Sequence, residues 1–182
     1  DPMFADALHH LGIIALQTNR ITDAIKMIQQ AIQLDPTDPG AYNNLGMALE
    51  DGHKHEEALV AYDNALRIAP QHIEALLNRG NVLQTLKRWD LALNSYDKLI
   101  ALAPNFADAY NNRGNVLRAL KRHQKAIASF DRALSFNPGY AQALNNKGIA
   151  LKDLNRLSDA LQCYDQAIRL QPNYAEAFSN RG

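Results

Sequence analysis

The prolines of this chain keep a fixed distance. Pro2, Pro36, Pro70, Pro104, Pro138 and Pro172 stand 34 residues apart without insertion or deletion, and only Pro39 lies off the ladder. Gly12, Gly46, Gly80, Gly114, Gly148 and Gly182 recur at the same interval, and so do Ala24, Ala58, Ala92, Ala126 and Ala160. A period of this length belongs to stacks of supersecondary units, each burying its apolar face only against its neighbours. Every local assignment therefore has to hold in all copies at once.

Residues 107–140 serve as the type copy. Ala109, Tyr110, Gly114, Leu117 and Leu120 follow helical spacing, as do Ala126, Ile127, Phe130, Ala133 and Leu134. Each copy is expected to be two antiparallel helices. Lys121, Arg122 and His123 make the turn between them. The second helix ends before Asn137-Pro138, because proline has no N–H to donate and its ring clashes with the preceding turn. Asn137, Pro138 and Gly139 form the connector. Gly114 and Ala126 are expected where the two helix axes come closest, since larger side chains there would push them apart. Phe106, Tyr140 and Tyr174, just after the prolines, are expected to plug the seams between copies. Trp89 stands where other copies have His55 or His123 and is read as packing over a turn.

Composition excludes several functions. Nineteen basic residues balance nineteen acidic ones, so nothing draws the chain to nucleic acid or to an anionic membrane. No apolar run approaches the roughly 18 residues of a membrane span, and no signal-peptide pattern opens the chain. The single Cys163 cannot form an internal disulfide, which fits a reducing, cytoplasmic location. It reads as a small buried side chain. There is no phosphate-cradling glycine loop, nucleophile elbow or cysteine pair for zinc. The histidine clusters His53/His55 and His9/His10 have no metal-site spacing. No residue takes a catalytic role, and no cofactor or metal is expected.

Charges also recur in register. Basic residues at Arg79, Arg113, Lys147 and Arg181 each follow an acid sixteen residues earlier, at Asp63, Asp97, Asp131 and Asp165, whereas Leu45 follows Gln29 and both charges are missing together. Within one repeat, Leu45 would face Asp63. The pattern therefore predicts a repeated salt bridge from the second helix of one copy to the first helix of the next.

The small, aromatic and proline positions resemble those of tetratricopeptide repeats. Tyr42, Leu76, Tyr110 and Leu144 match the first large position, Leu45-Gly46 the Leu-Gly pair, and Ala126, Phe130, Ala133 and Pro138 the second helix. Arg79, Arg113, Lys147 and Arg181 depart from the pattern by replacing its leucine. The resemblance covers the whole chain as one domain, residues 1–182, with repeats 5–38, 39–72, 73–106, 107–140 and 141–174 and the opening of a sixth at 175–182. It implies an all-α, right-handed superhelical solenoid of antiparallel helix pairs. The chain begins Asp-Pro-Met and stops inside a helix pattern, so a longer protein is expected, and uncapped ends would allow self-assembly into a homo-oligomer.

One polar position recurs inside the first helix: Asn44, Asn78, Asn112, Asn146 and Asn180, with His10 in the first copy. Asparagine is a mediocre helix former, so its amide is expected to be used. An amide offers an acceptor and two donors, which suit the backbone of an extended peptide. Alternatively, the amides bridge adjacent helices without any ligand. By the family resemblance this row lines a concave groove, together with Asn43, Asn111 and Asn145, then Met47, Asn81, Asn115 and Ile149, then Glu50, Gln84, Arg118 and Lys152. The pattern is most similar to the repeat region of O-linked N-acetylglucosamine transferases, where a comparable asparagine ladder holds protein substrates. A basic clamp for a chaperone C-terminus is not expected, since the position needing lysine carries His9, Asn43, Leu77 and Asn111. The expected function is protein interaction, with an extended peptide held by the ladder and selected by Met47, Leu77, Glu50, Arg118 and Lys152. The rival readings are the substrate-recruiting arm of a glycosyltransferase and a self-assembling scaffold.

Overall fold

The computed structural model describes residues 2–182. Among them are eleven α-helices and no strand, which makes the chain an all-α repeat array. The helices fall into two compact units, one ending at Leu91 and the other beginning at Ala92. The first holds α1 (Pro2–Gln17), α2 (Ile21–Leu34), α3 (Pro39–Asp51), α4 (His55–Ile68), α5 (Ile73–Thr85) and the start of α6 (Trp89–Leu102). The second holds the rest of α6, then α7 (Ala107–Ala119), α8 (His123–Phe136), α9 (Ala141–Asp153), α10 (Leu157–Leu170) and α11 (Ala175–Arg181).

The two helices of a repeat are joined by a turn with one left-handed residue. Asn19, His53, Lys87, Lys121 and Asn155 have φ between 57 and 59°. At Lys121 the closure uses two backbone bonds, Lys121 N–H to the Arg118 carbonyl at 2.9 Å and Arg122 N–H to the Leu117 carbonyl at 2.8 Å. These satisfy carbonyls that the end of α7 would leave open. The turn is tighter than the sequence suggested, since His123 is already the first residue of α8.

Inside a repeat the helices meet at the glycine. The Phe130 ring is fully buried against Gly114, where an added Cβ would stand 2.5 Å from its Cε1 atom. Gly46 meets Tyr62 and Gly148 meets Tyr164 in the same way. No glycine here has positive φ, so these positions are set by space and not by backbone conformation. Between repeats, Tyr140 packs on Tyr110, Ala133 and Ala143, and Tyr174 on Ala141, Leu144, Ala167 and Ala177. The post-proline aromatics thus close seams that the helices leave open.

The charge register is present at all four junctions. Arg79 Nε meets Asp63 Oδ1 at 2.6 Å, Arg113 Nε meets Asp97 Oδ1 at 2.6 Å, Lys147 Nζ meets Asp131 Oδ1 at 2.7 Å, and Arg181 pairs with Asp165. The structure adds a third member. Arg113 Nη1 also donates to the buried Ser129 Oγ at 2.7 Å, so one guanidinium ties α7 to both α6 and α8. The third position follows the second within each unit: Leu45 has Ala61, Arg113 has Ser129 and Lys147 has Cys163. A guanidinium has donors to spare for a hydroxyl, whereas leucine and lysine do not present that fork. Cys163 is buried, and burial raises its thiol pKa.

Candidate functional site

The ladder asparagines sit within α3, α5, α7, α9 and α11, and the structure shows where most of their amides go. Asn78 Nδ2 donates to Asn43 Oδ1 at 3.1 Å, Asn146 Nδ2 to Asn111 Oδ1 at 3.0 Å, and Asn180 Nδ2 to Asn145 Oδ1 at 2.9 Å. Asn44 Nδ2 makes the equivalent bond to His9 Nε2 at 2.8 Å. Each bond spans 35 residues, one more than the repeat, because a ladder residue reaches the position just before its counterpart in the preceding copy. His9 accepts at Nε2, so its other nitrogen carries the proton, and Nδ1 lies 3.1 Å from Asp38 Oδ2. Asp38 in turn caps α3 by accepting from the Gly40 N–H at 2.8 Å.

Asn43, Asn111 and Asn145 are therefore buried joints. They hold the ladder residue of the next repeat instead of standing open in a groove. Asn145 also donates to Glu176 Oε1 at 3.2 Å, and Asn111 to Asn112 Oδ1 at 3.2 Å. The sequence carries this signal as the doublets Asn43-Asn44, Asn111-Asn112 and Asn145-Asn146. Leu77 interrupts the series with a side chain that cannot accept. Asn44, Asn78 and Asn112 remain part-exposed, as do Asn81 and Asn115 a turn further on, while Asn146 is buried. Met47 is well exposed.

At the C-terminal end of these first helices the side chains differ from repeat to repeat. Tyr62 hydroxyl donates to Glu50 Oε2. Burial pushes the Glu50 carboxyl up, with the Tyr62 hydrogen bond opposing it, and burial followed by the Glu50 bond pushes the Tyr62 hydroxyl well up. In the second unit Asp153 lies 3.9 Å from Arg118 Nη1 and 3.4 Å from His123 Nδ1. Lys152 is exposed. No group of three or more histidine, cysteine, aspartate or glutamate residues among those described could hold a metal ion. No described helix is long and apolar enough to cross a membrane.

Comparison with known proteins decides the family. A family model described as tetratricopeptide repeat matches residues 3–73 and 77–141, and a second tetratricopeptide repeat model matches residues 141–174. The chain belongs to the tetratricopeptide repeat family. No curated protein matches it. Among solved structures it is similar to MamA (residues 41 to the end) from Desulfovibrio magneticus RS-1, at 20% identity and a TM-score of 0.87, covering 94% of this chain and 97% of that one. YrrB, described as a TPR protein with an unusual peptide-binding site, is 24% identical with a TM-score of 0.81, covering 94% and 89%. A tetratricopeptide repeat protein from Parabacteroides merdae is 22% identical with a TM-score of 0.89, covering 98% of this chain and 71% of that one. At these identities the likeness establishes the fold.

Proposed function

We propose that the first-helix face of each unit docks an extended peptide, with the ladder asparagines contacting its backbone. The family is one of protein-interaction modules, and YrrB is described as carrying a peptide-binding site. The observation that carries the proposal is the bond from Nδ2 of Asn78 to Asn43 and of Asn146 to Asn111. One N–H of each amide is spent on the neighbouring repeat, which fixes the amide plane. The carbonyl oxygen and second N–H remain as a pre-oriented acceptor and donor. Specificity then comes from Met47, Leu77, Asn81, Asn115, Arg118 and Lys152. Ordering a flexible segment costs entropy, so affinity is modest.

The test is binding of a displayed peptide library to wild type and to a variant with Asn78, Asn112 and Asn146 changed to alanine. Far-UV circular dichroism must first show that the variant stays helical. A second variant, Asn81→Ala with Asn115→Ala, alters the same face while leaving the Asn78–Asn43 and Asn146–Asn111 bonds in place. Loss of binding in both supports the face as the site. Undiminished binding in both places the site elsewhere.

A further inference from the structure

The rungs of the ladder are not chemically alike. Asn78 and Asn146 donate to the amide oxygens of Asn43 and Asn111, and an amide oxygen accepts whatever the pH. Asn44 instead donates to a histidine ring, its Nδ2 lying 2.8 Å from His9 Nε2. The far side of the ring fixes the tautomer: Asp38 Oδ2 stands 3.1 Å from Nδ1, and a carboxylate oxygen there calls for the proton to sit on Nδ1. Neutral His9 therefore turns a bare Nε2 to Asn44. A proton taken up from solvent by the ring goes to that nitrogen.

Once Nε2 carries a proton, an N–H of Asn44 faces an N–H of the ring, and two donors left without an acceptor are costly. The ring is held in place. Its side chain is 13% exposed, Nδ1 stays on Asp38, and Asp38 is anchored in turn by accepting from the Gly40 N–H at 2.8 Å. The amide is freer, because the terminal torsion of asparagine is broad and roughly two-fold. Turning it over puts Oδ1 on the Nε2–H and restores the bond. The free edge of Asn44 changes with it. Before the turn that edge offers the carbonyl oxygen and one N–H, and afterwards it offers two N–H groups and no acceptor.

Few other charges stand around the ring. On α1 itself, the His10 ring centroid is 6.1 Å away, with Nδ1 on the Asp6 carbonyl, and Asp6 lies a turn back. On α2, Arg20 pairs with Asp23 and Lys26 is exposed. On α3, Glu50 and Asp51 stand at the far end of the helix.

We propose that His9 is a positioning residue of the docking face in the first unit, and that its protonation turns Asn44 from an acceptor into a donor toward the backbone of a docked peptide. The inference rests on the peptide-docking reading above and names how that face is regulated in one unit. In the second unit the joints are Asn111 and Asn145, so the Asn146 rung keeps its orientation. Acid therefore weakens peptides held through Asn44.

The first experiment needs no ligand. Side-chain nitrogen-15 NMR of the labelled chain, from about pH 8 to about pH 5, covers the range in which histidine changes charge. The expected result is a coupling across the Asn44 Nδ2–His9 Nε2 bond at the alkaline end that disappears at the acid end. The Asn44 amide signals should move on the His9 titration curve, while those of Asn78 and Asn146 stand still. His9→Asn, which rebuilds the Asn43–Asn78 joint, should abolish the Asn44 response, and His10→Gln should keep it. Circular dichroism checks that both variants stay helical. Short peptides selected from a displayed library at the alkaline end are then measured by fluorescence anisotropy, keeping those weakened by Asn44→Ala. Wild type should lose about tenfold in affinity for them at the acid end, and His9→Asn should lose almost none. An Asn44 amide that ignores the His9 titration, a response that survives His9→Asn, an equal loss of affinity in both proteins, or selected peptides that all tolerate Asn44→Ala would each overturn the inference and leave the docking reading standing. If no peptide binds wild type, both fall.

Discussion

Gly114→Ala is the substitution whose effect follows most directly from the geometry. A Cβ at this position would lie 2.5 Å from Phe130 Cε1 and 2.8 Å from Cδ1 and Cζ. Carbon atoms rest about 3.5 to 4.0 Å apart, so the ring would have to retreat by roughly 1 Å. It has nowhere to go, because Phe130 is 0% exposed and lies in the body of the repeat. Overpacking of this kind costs about 1 to 3 kcal/mol. Alanine recovers about 1 kcal/mol of helix propensity relative to glycine. The net expectation is a destabilisation of up to about 2 kcal/mol, the difference of the two terms. Equilibrium urea unfolding followed at 222 nm, fitted with a nearest-neighbour scheme suited to repeat arrays, measures it. Gly52→Ala serves as the control, since its Cβ meets only ordinary contacts at 3.4 and 3.5 Å, and should stay within about 0.5 kcal/mol of wild type. A Phe130→Leu background, which shortens the offending side chain, should reduce the cost of Gly114→Ala. A Gly114→Ala variant that gains the full propensity term of about 1 kcal/mol, or costs that simply add in the double variant, would show that the helix spacing is not set by this contact.

Further outcomes are expected elsewhere. Asn111→Leu, which copies Leu77 into the fourth repeat, strips the acceptor from the buried Asn146 N–H and should cost about 1 to 3 kcal/mol in the same urea assay. Arg113→Leu alone leaves Asp97 and the buried Ser129 without their donor and lowers stability. Combining it with Asp97→Gln and Ser129→Ala reproduces the uncharged Gln29, Leu45 and Ala61 set and should return most of the loss, which a triple-variant melt would read. Because Asp97 is 54% exposed and Arg113 30%, screening holds the ion pair itself to under about 1 kcal/mol. Glu50 is held above the ordinary glutamate value of 4.5 in the folded chain. Between that value and its folded pKa the native state binds more protons than the unfolded one, so the Glu50 contribution to stability falls as pH rises through the window. Glu50→Gln keeps an acceptor for Tyr62 and should flatten the pH dependence of the melting temperature from about 4.5 upward. Lys121→Gly relieves a left-handed residue at φ 59° and should raise stability by up to about 1 kcal/mol, the balance of strain relieved against unfolded-state entropy gained.

Much of this protein is written in its period. The helix pairs, the turns before residues 20, 54, 88, 122 and 156, the glycine where the two helices come close and the salt bridges between copies all follow from the 34-residue register. Each depends on residues at constant offsets, and a stack of identical units turns a constant offset into a constant contact. Even the absence of the ion pair at Gln29 and Leu45 could be read, because both partners change together.

Contacts that depend on side-chain reach could not be read in the same way. The asparagines at 44, 78 and 146 stand out in the sequence, yet only packing showed that each spends a donor on the residue 35 positions back. The third member of the salt bridge, Ser129, emerged because α8 turns its hydroxyl toward a guanidinium arriving from α7. Burial decides these contacts, because a buried amide or hydroxyl must find a partner, and which helices close around it is settled only by packing.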